Sequence, residues 1–205
     1  MTQARSYRGV AQADRVALRR DALINAGLNC LHADGLSGFG VRAVCAEARL
    51  TARYFYESFA DLDELLGAVV DAVCADVAAH ALAAIAEVGD QLEAKVQAAV
   101  SSAFTVLSDD PRKASAFLLA SAGPNSLHDK REEWLTEFVA LVLANLPVRA
   151  GASLQGKRAA RGAALFVMGG TTELLRAVFS GSLAMPPSEV VARLTGMWLA
   201  VLADG

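Results

Sequence analysis

Two short helical patterns separated by three residues constrain this chain more than any other feature. The apolar positions of the first pattern recur at the i, i+3, i+4, i+7 spacing of one helix face: Val41, Val44, Cys45 and Ala48. Segment 49–51 then interrupts the pattern, and Thr51 is a residue type that commonly caps a helix N-terminus. Phe55 and Phe59 continue an apolar edge behind it. Two short helices joined by a tight turn, with Leu50 buried between them, are typical of a helix-turn-helix.

Long helical patterns flank this pair. The first is predicted over about 13–33, after a flexible polar start, and ends at Asp34-Gly35, where glycine can adopt a left-handed cap. The second is predicted over about 61–86, with Asp61 and Glu64 spaced as in a capping box. Because its first turns would pack on the helix-turn-helix and its later turns on the body, this helix is the expected mechanical link.

The remainder of the chain is also predicted to be helical. Alanine and leucine dominate its long stretches, proline occurs only 5 times in 205 residues, and no strand pattern of period two exceeds chance. The predicted helices cover roughly 90–107, 111–120, 126–146, 156–180 and 187–203. We therefore predict an all-α fold of about nine helices, with a three-helix N-terminal domain over 1–60 and a helical body over 61–205.

Charge is distributed unevenly between these two parts. The formal net charge of the chain is -3, but residues 1–60 hold eight arginines against five acidic residues. The first part therefore carries +3 and the rest -6. A basic small domain on an acidic body is typical of a nucleic-acid reader with a separate effector domain.

The apolar composition raises the question of a membrane span. The best candidate, 65–85, carries Asp71, Asp76 and His80, and charges recur in the other long helices. We therefore expect no transmembrane segment and no membrane partner. The N-terminus lacks the pattern of a secretory signal, and the three cysteines form no CxxC pair. A cytoplasmic protein with reduced, buried thiols is the prediction, and a redox-sensing pair is the alternative.

Residues 41–66, VRAVCAEARLTARYFYESFADLDELL, resemble the DNA-binding signature of the tetracycline-repressor (TetR) family. In that pattern a short helix ends in acid-Ala-Gly-Val-Ser, and a recognition helix ends in an aromatic-Tyr-x-x-Phe. Segments 47–51 and 55–59 occupy these places here. The resemblance implies a homodimeric, ligand-responsive transcriptional regulator, usually a repressor. Such a protein binds a palindromic operator in double-stranded DNA and is released by a small apolar or amphipathic effector in its helical body.

Two positions depart from the family pattern. The usual turn glycine is Arg49, so the backbone there must avoid a positive φ or accept strain. The usual phosphate-binding lysine at the start of the fourth helix is Leu62, with acidic residues at 61, 63 and 64. One alternative is therefore a helical ligand-binding or interaction protein whose helix-turn-helix no longer binds DNA.

The resemblance also assigns DNA contacts. Thr51 and Tyr56 are carried over as phosphate contacts, and Arg53 and Tyr54 as base-reading candidates. Arg42, near the start of the preceding helix, is a further phosphate candidate. Arg53 could bond guanine O6 and N7 in the major groove, although a solvated surface arginine is the alternative. Further arginines are expected either to reach the DNA backbone or minor groove or to form a solubilising tail: Arg5, Arg8, Arg15, Arg19 and Arg20.

The effector site and the dimer interface are expected in the helical body. Pocket candidates are Phe104, Phe117, Trp134, Phe138, Phe166 and Met168, with His128, Thr172 and Glu173 as polar groups, although side chains at this spacing are more often ordinary core. Two stripes in the last two helices would expose much apolar area in a monomer and are predicted to dimerise. They comprise Ala163, Phe166, Val167, Gly170 and Leu174, and then Val191, Leu194, Met197, Trp198 and Val201.

Signals for catalysis, metal or cofactor binding are weak. The GxGxxA string at 38–43 follows a helix instead of a strand, so we interpret it as coincidence. Asp76 and His80 lie four residues apart without a nearby third ligand, which favours a solvated helical pair. We predict no catalytic residue, metal ligand or cofactor. An all-α enzyme is a further alternative, which would require turnover that survives deletion of residues 1–60.

Overall fold

The computed structural model describes the backbone of residues 3–122, 127–145 and 154–203, and most side chains between 14 and 202. These residues form nine α-helices and no strand, so the predicted all-α class is confirmed. The helices are α1 Gln3–Gly38, α2 Val41–Glu47, α3 Ala52–Ser58, α4 Leu62–Ala86, α5 Leu92–Asp109, α6 Pro111–Ala122, α7 His128–Asn145, α8 Leu154–Phe179 and α9 Pro187–Ala203.

The start of α1 differs from the prediction. The helix begins at Gln3 instead of about Ala13, because segment 3–12 contains no proline and is rich in alanine, arginine and glutamine, which favour helix without an apolar stripe. Its helical backbone is interrupted at Gly35, where φ is +61°. That position is next to the predicted end, and glycine adopts this conformation without the steric cost of a Cβ. From α4 to α9, each helix begins and ends within two residues of its predicted bounds.

The chain divides into two compact units, Met1–Ala72 and Val73–Gly205. In the first unit, α1, α2 and α3 pack on one another, and α1 also packs on the first turns of α4. A Cβ on Gly27 of α1 would lie 2.9 Å from the Val69 Cγ2 of α4, so the glycine permits close approach of these helices. This unit reaches twelve residues past the boundary predicted at 60 because α4 buries Leu65 and Val69 within it. The functional division between the two domains stays a prediction.

The predicted capping arrangement is present at the start of α4. The Asp61 Oδ1 accepts a hydrogen bond from the Glu64 backbone N–H at 2.8 Å. The Glu64 Oε2 accepts one from the Ala60 N–H at 2.7 Å. The first bond satisfies a backbone donor in the first turn of α4, and the second fixes the residue that precedes Asp61, so α4 begins at a defined residue after the short α3.

The second unit contains the rest of α4 and the five following helices. In it α5 packs against α9, α7 against α8, and α6 against both α5 and α8. Lys113 of α6 reaches the Asp76 Oδ2 of α4 at 2.7 Å, and the other oxygen of Asp76 lies 3.2 Å from the His80 Nδ1. The predicted Asp76–His80 helical pair is thus present, and a lysine from a second helix joins it.

Two helices are long and apolar enough to cross a membrane by length and composition: Leu62–Ala86 and Arg158–Phe179. This is weak evidence of a span, because core helices of soluble proteins meet the same criteria. The first of the two carries the Lys113–Asp76 ion pair on its surface. The expectation that no segment spans a membrane stays a prediction.

The surroundings of two cysteines raise the pKa of their thiols. Cys45 is buried, and this burial raises the pKa of its thiol. For Cys30, partial burial first, and then the nearby carboxylates of Glu47 and Asp34, raise the pKa of the thiol. Because the thiolate is the reactive form, both side chains favour the less reactive state at neutral pH.

Candidate functional site

The turn between α2 and α3 places a non-glycine residue in the left-handed region. Arg49 has φ of +54°, so of the two outcomes that the sequence left open, the backbone accepts the strain. The Leu50 N–H donates to the Cys45 carbonyl at 2.9 Å, and the Arg49 N–H to the Ala46 carbonyl at 3.2 Å. This pair of bonds is the Schellman motif, in which glycine usually occupies the position of Arg49. Leu50 is half-buried behind the turn.

A buried aromatic pair fixes the orientation of α3. Phe55 and Phe59 are both fully buried, as predicted, and their ring centroids lie 5.9 Å apart. Tyr56 contacts the Phe55 ring edge-on at 5.2 Å but is itself mostly exposed. Because one face of this seven-residue helix is fully used for packing, its opposite face must point to solvent.

Most of the residues predicted to contact DNA are exposed. Arg42 of α2 and Thr51 and Arg53 of α3 are exposed, and the Arg53 side chain is 84% accessible. Thr51 is the N-cap of α3, but among the described residues its hydroxyl makes no capping hydrogen bond. Tyr54 is only half-buried, with the Arg19 guanidinium 4.4 Å from its ring centroid. Four of the five predicted residues are therefore exposed to solvent, and Tyr54 is the least accessible of them.

Two arginines of α1 bind α3 instead of extending into solvent. The Arg20 Nη1 donates to the Ser58 carbonyl at 2.6 Å, and its guanidinium lies 4.1 Å from the centroid of the Phe59 ring. The Arg19 Nη2 lies 3.7 Å from the Glu57 Oε2. Both arginines were predicted either to contact DNA or to belong to a solubilising tail, because their spacing in the sequence gives no signal of these structural contacts. The side chains of Arg5 and Arg8 lie outside the described residues.

The second unit contains a cavity of about 550 Å³. This volume falls in the range of small-molecule sites. Of the predicted pocket residues, four apolar ones line it together with both polar ones that are described: Phe117, Trp134, Phe138, Met168, Thr172 and Glu173. Two others lie elsewhere. Phe104 stacks on Phe179 at 5.7 Å, and Phe166 is 74% exposed. The side chain of His128 lies outside the described residues.

Much of the cavity wall was not predicted. The missed apolar residues of α4 and α5 are Cys74, Val77, Ala78, Ala81, Leu82 and Ile85, and then Val96, Ala99, Val100, Ala103 and Leu107. Their helical spacing is the same as that of an ordinary core, so periodicity alone does not separate the two cases. The alanines among them give no separate signal, because alanine is common throughout the chain.

Polar groups are few around the cavity. Arg131, Glu132, Thr171, Thr172 and Glu173 are its strongly polar lining residues. Thr171 accepts a hydrogen bond from the Trp198 Nε1 at 2.7 Å. Glu173 is paired with Arg176, whose hydrogen bond lowers the pKa of the Glu173 carboxyl. A mostly apolar wall with few polar groups fits an apolar or amphipathic small molecule.

The structure separates the predicted dimer stripes into an outer and an inner set. Phe166, Gly170 and Met197 are exposed, and Met197 retains 54% of its accessible surface. Four residues are half-buried: Ala163, Leu174, Val191 and Val201. Three are core residues of the chain itself: Val167, Leu194 and Trp198. These three were wrongly predicted to be available to a partner subunit, because the inner faces of α8 and α9 pack on the core of their own unit.

Comparison with known proteins identifies the fold. Searches against protein-family models and against curated protein sequences find no match. Solved structures do match. The fatty acid degradation regulator FadR from Bacillus halodurans has a TM-score of 0.71 and 16% identity, over 88% of this chain and 94% of its own. A TetR-like transcriptional regulator from Rhodococcus sp. RHA1 has a TM-score of 0.61 and 15% identity, over 92% and 98%.

A third similar structure is the multidrug binding protein EbrR, solved with imidazole. Its TM-score is 0.62 and its identity 21%, over 87% of this chain and 94% of its own. These matches cover nearly the whole of both chains, so they concern both the N-terminal unit and the helical body. The chain therefore has the all-helical fold of the TetR-family transcriptional regulators.

Proposed function

We propose that this protein is a ligand-responsive transcriptional regulator of the TetR family, most simply a cytoplasmic repressor. In this proposal it binds a palindromic operator as a homodimer and leaves the DNA when an apolar or amphipathic effector enters the helical body. The exposed face of α3 carries the proposal. Phe55 and Phe59 hold the helix from behind, and Arg53 projects from its solvent side.

The proposed DNA contacts follow from the chemistry of this face. A guanidinium can donate two hydrogen bonds to guanine in the major groove, and Arg53 is accessible enough to do so. Arg42, Thr51 and Tyr56 offer a cation and two hydroxyls to phosphates. Tyr54 contributes less in this proposal, because its ring is packed beneath Arg19.

The cavity and α4 support the regulatory part of the proposal. Residues of α4 after Val73 line the cavity, while its first turns belong to the N-terminal unit. A ligand that favours one placement of α4 would bias the DNA-binding unit by its differential affinity for the two states. The solved structures that share the fold include a multidrug binding protein and a fatty acid degradation regulator, which is consistent with a ligand-binding body.

Binding to DNA is the first experiment. Duplexes are selected from a randomised pool by the wild-type protein, and their affinity is measured at two salt concentrations against a scrambled duplex. We expect salt-dependent binding and discrimination between the two duplexes. Arg53→Ala should weaken the selected duplex by about 1–3 kcal/mol and relax its selectivity. Lys130→Ala, which removes an equal charge from α7, should leave both unchanged.

The cavity offers a separate test of effector binding. Both tryptophans of the chain, Trp134 and Trp198, line it. An apolar ligand that fills the space should therefore change the tryptophan emission, and the effector should also release the selected duplex. Saturating emission with unchanged operator affinity would contradict the regulatory mechanism while leaving DNA binding intact.

A second candidate function follows from the start of α4. Leu62 replaces the family's lysine there, and the flanking Asp61, Asp63 and Glu64 are exposed acids that repel phosphates. In this alternative the protein is a helical ligand-binding or interaction protein whose helix-turn-helix no longer binds DNA. Failure of the wild-type protein to enrich any duplex, together with ligand-dependent tryptophan emission, would favour it.

A further inference from the structure

We propose that Glu57 is a specificity-determining residue of α3, which holds Arg53 for a base edge and opposes its use on phosphates. The inference rests on the proposed DNA-binding function. In this role the carboxylate of Glu57 weakens binding to unrelated DNA sequences more than it weakens binding to the operator.

The Glu57 carboxylate is divided between two arginines from different helices. Its Oε1 accepts a hydrogen bond from the Arg53 Nε at 2.9 Å. Its Oε2 lies 3.7 Å from the Arg19 Nη2 of α1. Arg19 is itself held over the Tyr54 ring at 4.4 Å, and only about a quarter of its side chain is exposed. Glu57 is thus tied to the body of the unit, whereas Arg53 depends on Glu57 for its position.

The helical stability of α3 does not account for an acid at this place. Glu57 is the second-last residue of the helix, where the partial negative charge of the terminal carbonyls disfavours a carboxylate. The pair also runs from arginine to glutamate at i,i+4, which is the weaker order of the two in helices. Its geometry therefore points to a role on the exposed face.

The hydrogen-bond donors of Arg53 explain how one acid can separate two kinds of DNA contact. Arginine has five N–H donors, and the Nε–H is the one bonded to Glu57. The Nη groups can still form two hydrogen bonds to guanine O6 and N7. A guanine edge carries only partial negative charges, so the carboxylate repels it much less than it repels a phosphate. A phosphate bound by the same guanidinium would lie near the carboxylate and be repelled, which penalises binding to unrelated duplexes.

The test compares Glu57→Gln with the wild-type chain on two duplexes, one selected by the wild type from a randomised pool and one scrambled. Dissociation constants are measured at several salt concentrations. For each protomer of the bound dimer, we expect the variant to bind the scrambled duplex about two- to fivefold more tightly. Its log–log salt slope should steepen by about 0.9 per protomer, as for one further phosphate contact in each. Affinity for the selected duplex should change less. The specificity ratio, which is the affinity for the selected duplex divided by that for the scrambled duplex, should therefore fall.

Glu87→Gln is the matched control, because it makes the same substitution at an exposed glutamate of the second unit. If this control reproduces the lower ratio, a general charge effect replaces the specific role of Glu57. Glu57→Asp should keep most of the ratio. If Glu57 had a purely structural role, Glu57→Gln would lower the thermal midpoint of unfolding and weaken binding to both duplexes equally. That result would overturn the inference.

The outcomes separate this inference from the proposed function. If the wild-type chain binds no duplex, the proposed function fails and the inference fails with it. If the wild type discriminates and Glu57→Gln leaves both the ratio and the salt slope unchanged, the inference alone fails.

Discussion

Arg49 occupies a left-handed backbone conformation that is costly for any residue with a Cβ. The sequence placed an arginine where the family pattern has glycine, but it left two backbone outcomes open. The Schellman hydrogen bonds at Leu50 and Arg49 decide between them, because they close the end of α2 only when the residue after Ala48 turns left-handed. The turn geometry is therefore kept at the expense of local strain.

Replacing Arg49 with glycine should relieve that strain. We expect Arg49→Gly to raise the free energy of unfolding by about 1 kcal/mol, because glycine adopts positive φ without the steric cost. Urea unfolding followed by circular dichroism measures the change. Arg49→Ala retains the Cβ and should give no comparable gain. Equal stabilisation by both variants would place the effect in the arginine side chain instead of the backbone.

Asp110 contributes to the stability of the protein in a way that depends on pH. Its Oδ1 accepts hydrogen bonds from the Arg112 backbone N–H at 3.0 Å and the Arg112 Nε at 2.9 Å, and its Oδ2 one from Nη2 at 2.7 Å. The side-chain hydrogen bond from Arg112 is the main cause that lowers the pKa of the Asp110 carboxyl. The contribution of this ion pair to the free energy of unfolding is therefore complete above the ordinary pKa of an aspartate carboxyl. It is lost as the pH falls through the lowered pKa of Asp110.

Removing this carboxylate should destabilise the start of α6. Asp110→Ala is expected to cost about 1 kcal/mol at neutral pH, as for the loss of a helix N-cap. The difference between variant and wild type should shrink as the pH falls below 4, which urea titrations at several pH values can measure. Asp109→Ala, an exposed neighbouring acid, is the control. A difference independent of pH would assign the loss to something other than the charged carboxylate.

At the scale of the helices, the close approach of α1 to α4 depends on Gly27. A methyl group there would meet the Val69 Cγ2 at 2.9 Å and the Phe39 Cε2 at 3.3 Å. Both side chains are buried, and valine is stiff at χ1, so neither can move aside easily. The glycine therefore sets the spacing at which α4 docks within the N-terminal unit.

Gly27→Ala should be destabilising despite the better helix propensity of alanine. We expect a loss of about 1–3 kcal/mol from overpacking, measured by thermal or urea unfolding. Gly162→Ala in α8 is a matched control, since no described atom lies within 4 Å of its added Cβ. That variant should gain about 0.5–1 kcal/mol. If both variants were more stable than the wild type, α1 and α4 would be able to move apart without loss of stability, which would contradict this prediction.

Helix bounds were more predictable from sequence than the contents of the cavity. The start of α4 was set by local signals, Asp61 and Glu64, that act within a few residues. The start of α1 was missed because its first turns carry no apolar stripe. The cavity depends on how α4 to α9 pack, and Phe104, with the same type and spacing as its true lining residues, instead stacks on Phe179. Spacing identifies an inward face without saying whether the space behind it is filled.

At the scale of the whole molecule, the exposed part of the α8 and α9 stripes predicts self-association. Phe166→Asp should convert a dimer to a monomer, because a charge would be buried against an apolar partner surface. Sedimentation velocity over a range of concentrations measures the change. Leu18→Asp, at an α1 side chain that is 67% exposed, is a control for added surface charge and should leave the dimer intact. A wild-type chain that is monomeric throughout, or a dimeric Phe166→Asp, would contradict the proposed interface.

Four alanines of two helices line the cavity: Ala78 and Ala81 on α4, and Ala99 and Ala103 on α5. Each can be exchanged for valine or leucine by one substitution that subtracts volume and touches no backbone hydrogen bond. The range of ligands that the cavity binds can therefore change in small steps during evolution while the helix packing stays the same. The same property makes the chain a starting scaffold for biosensors, since the binding range can be narrowed residue by residue.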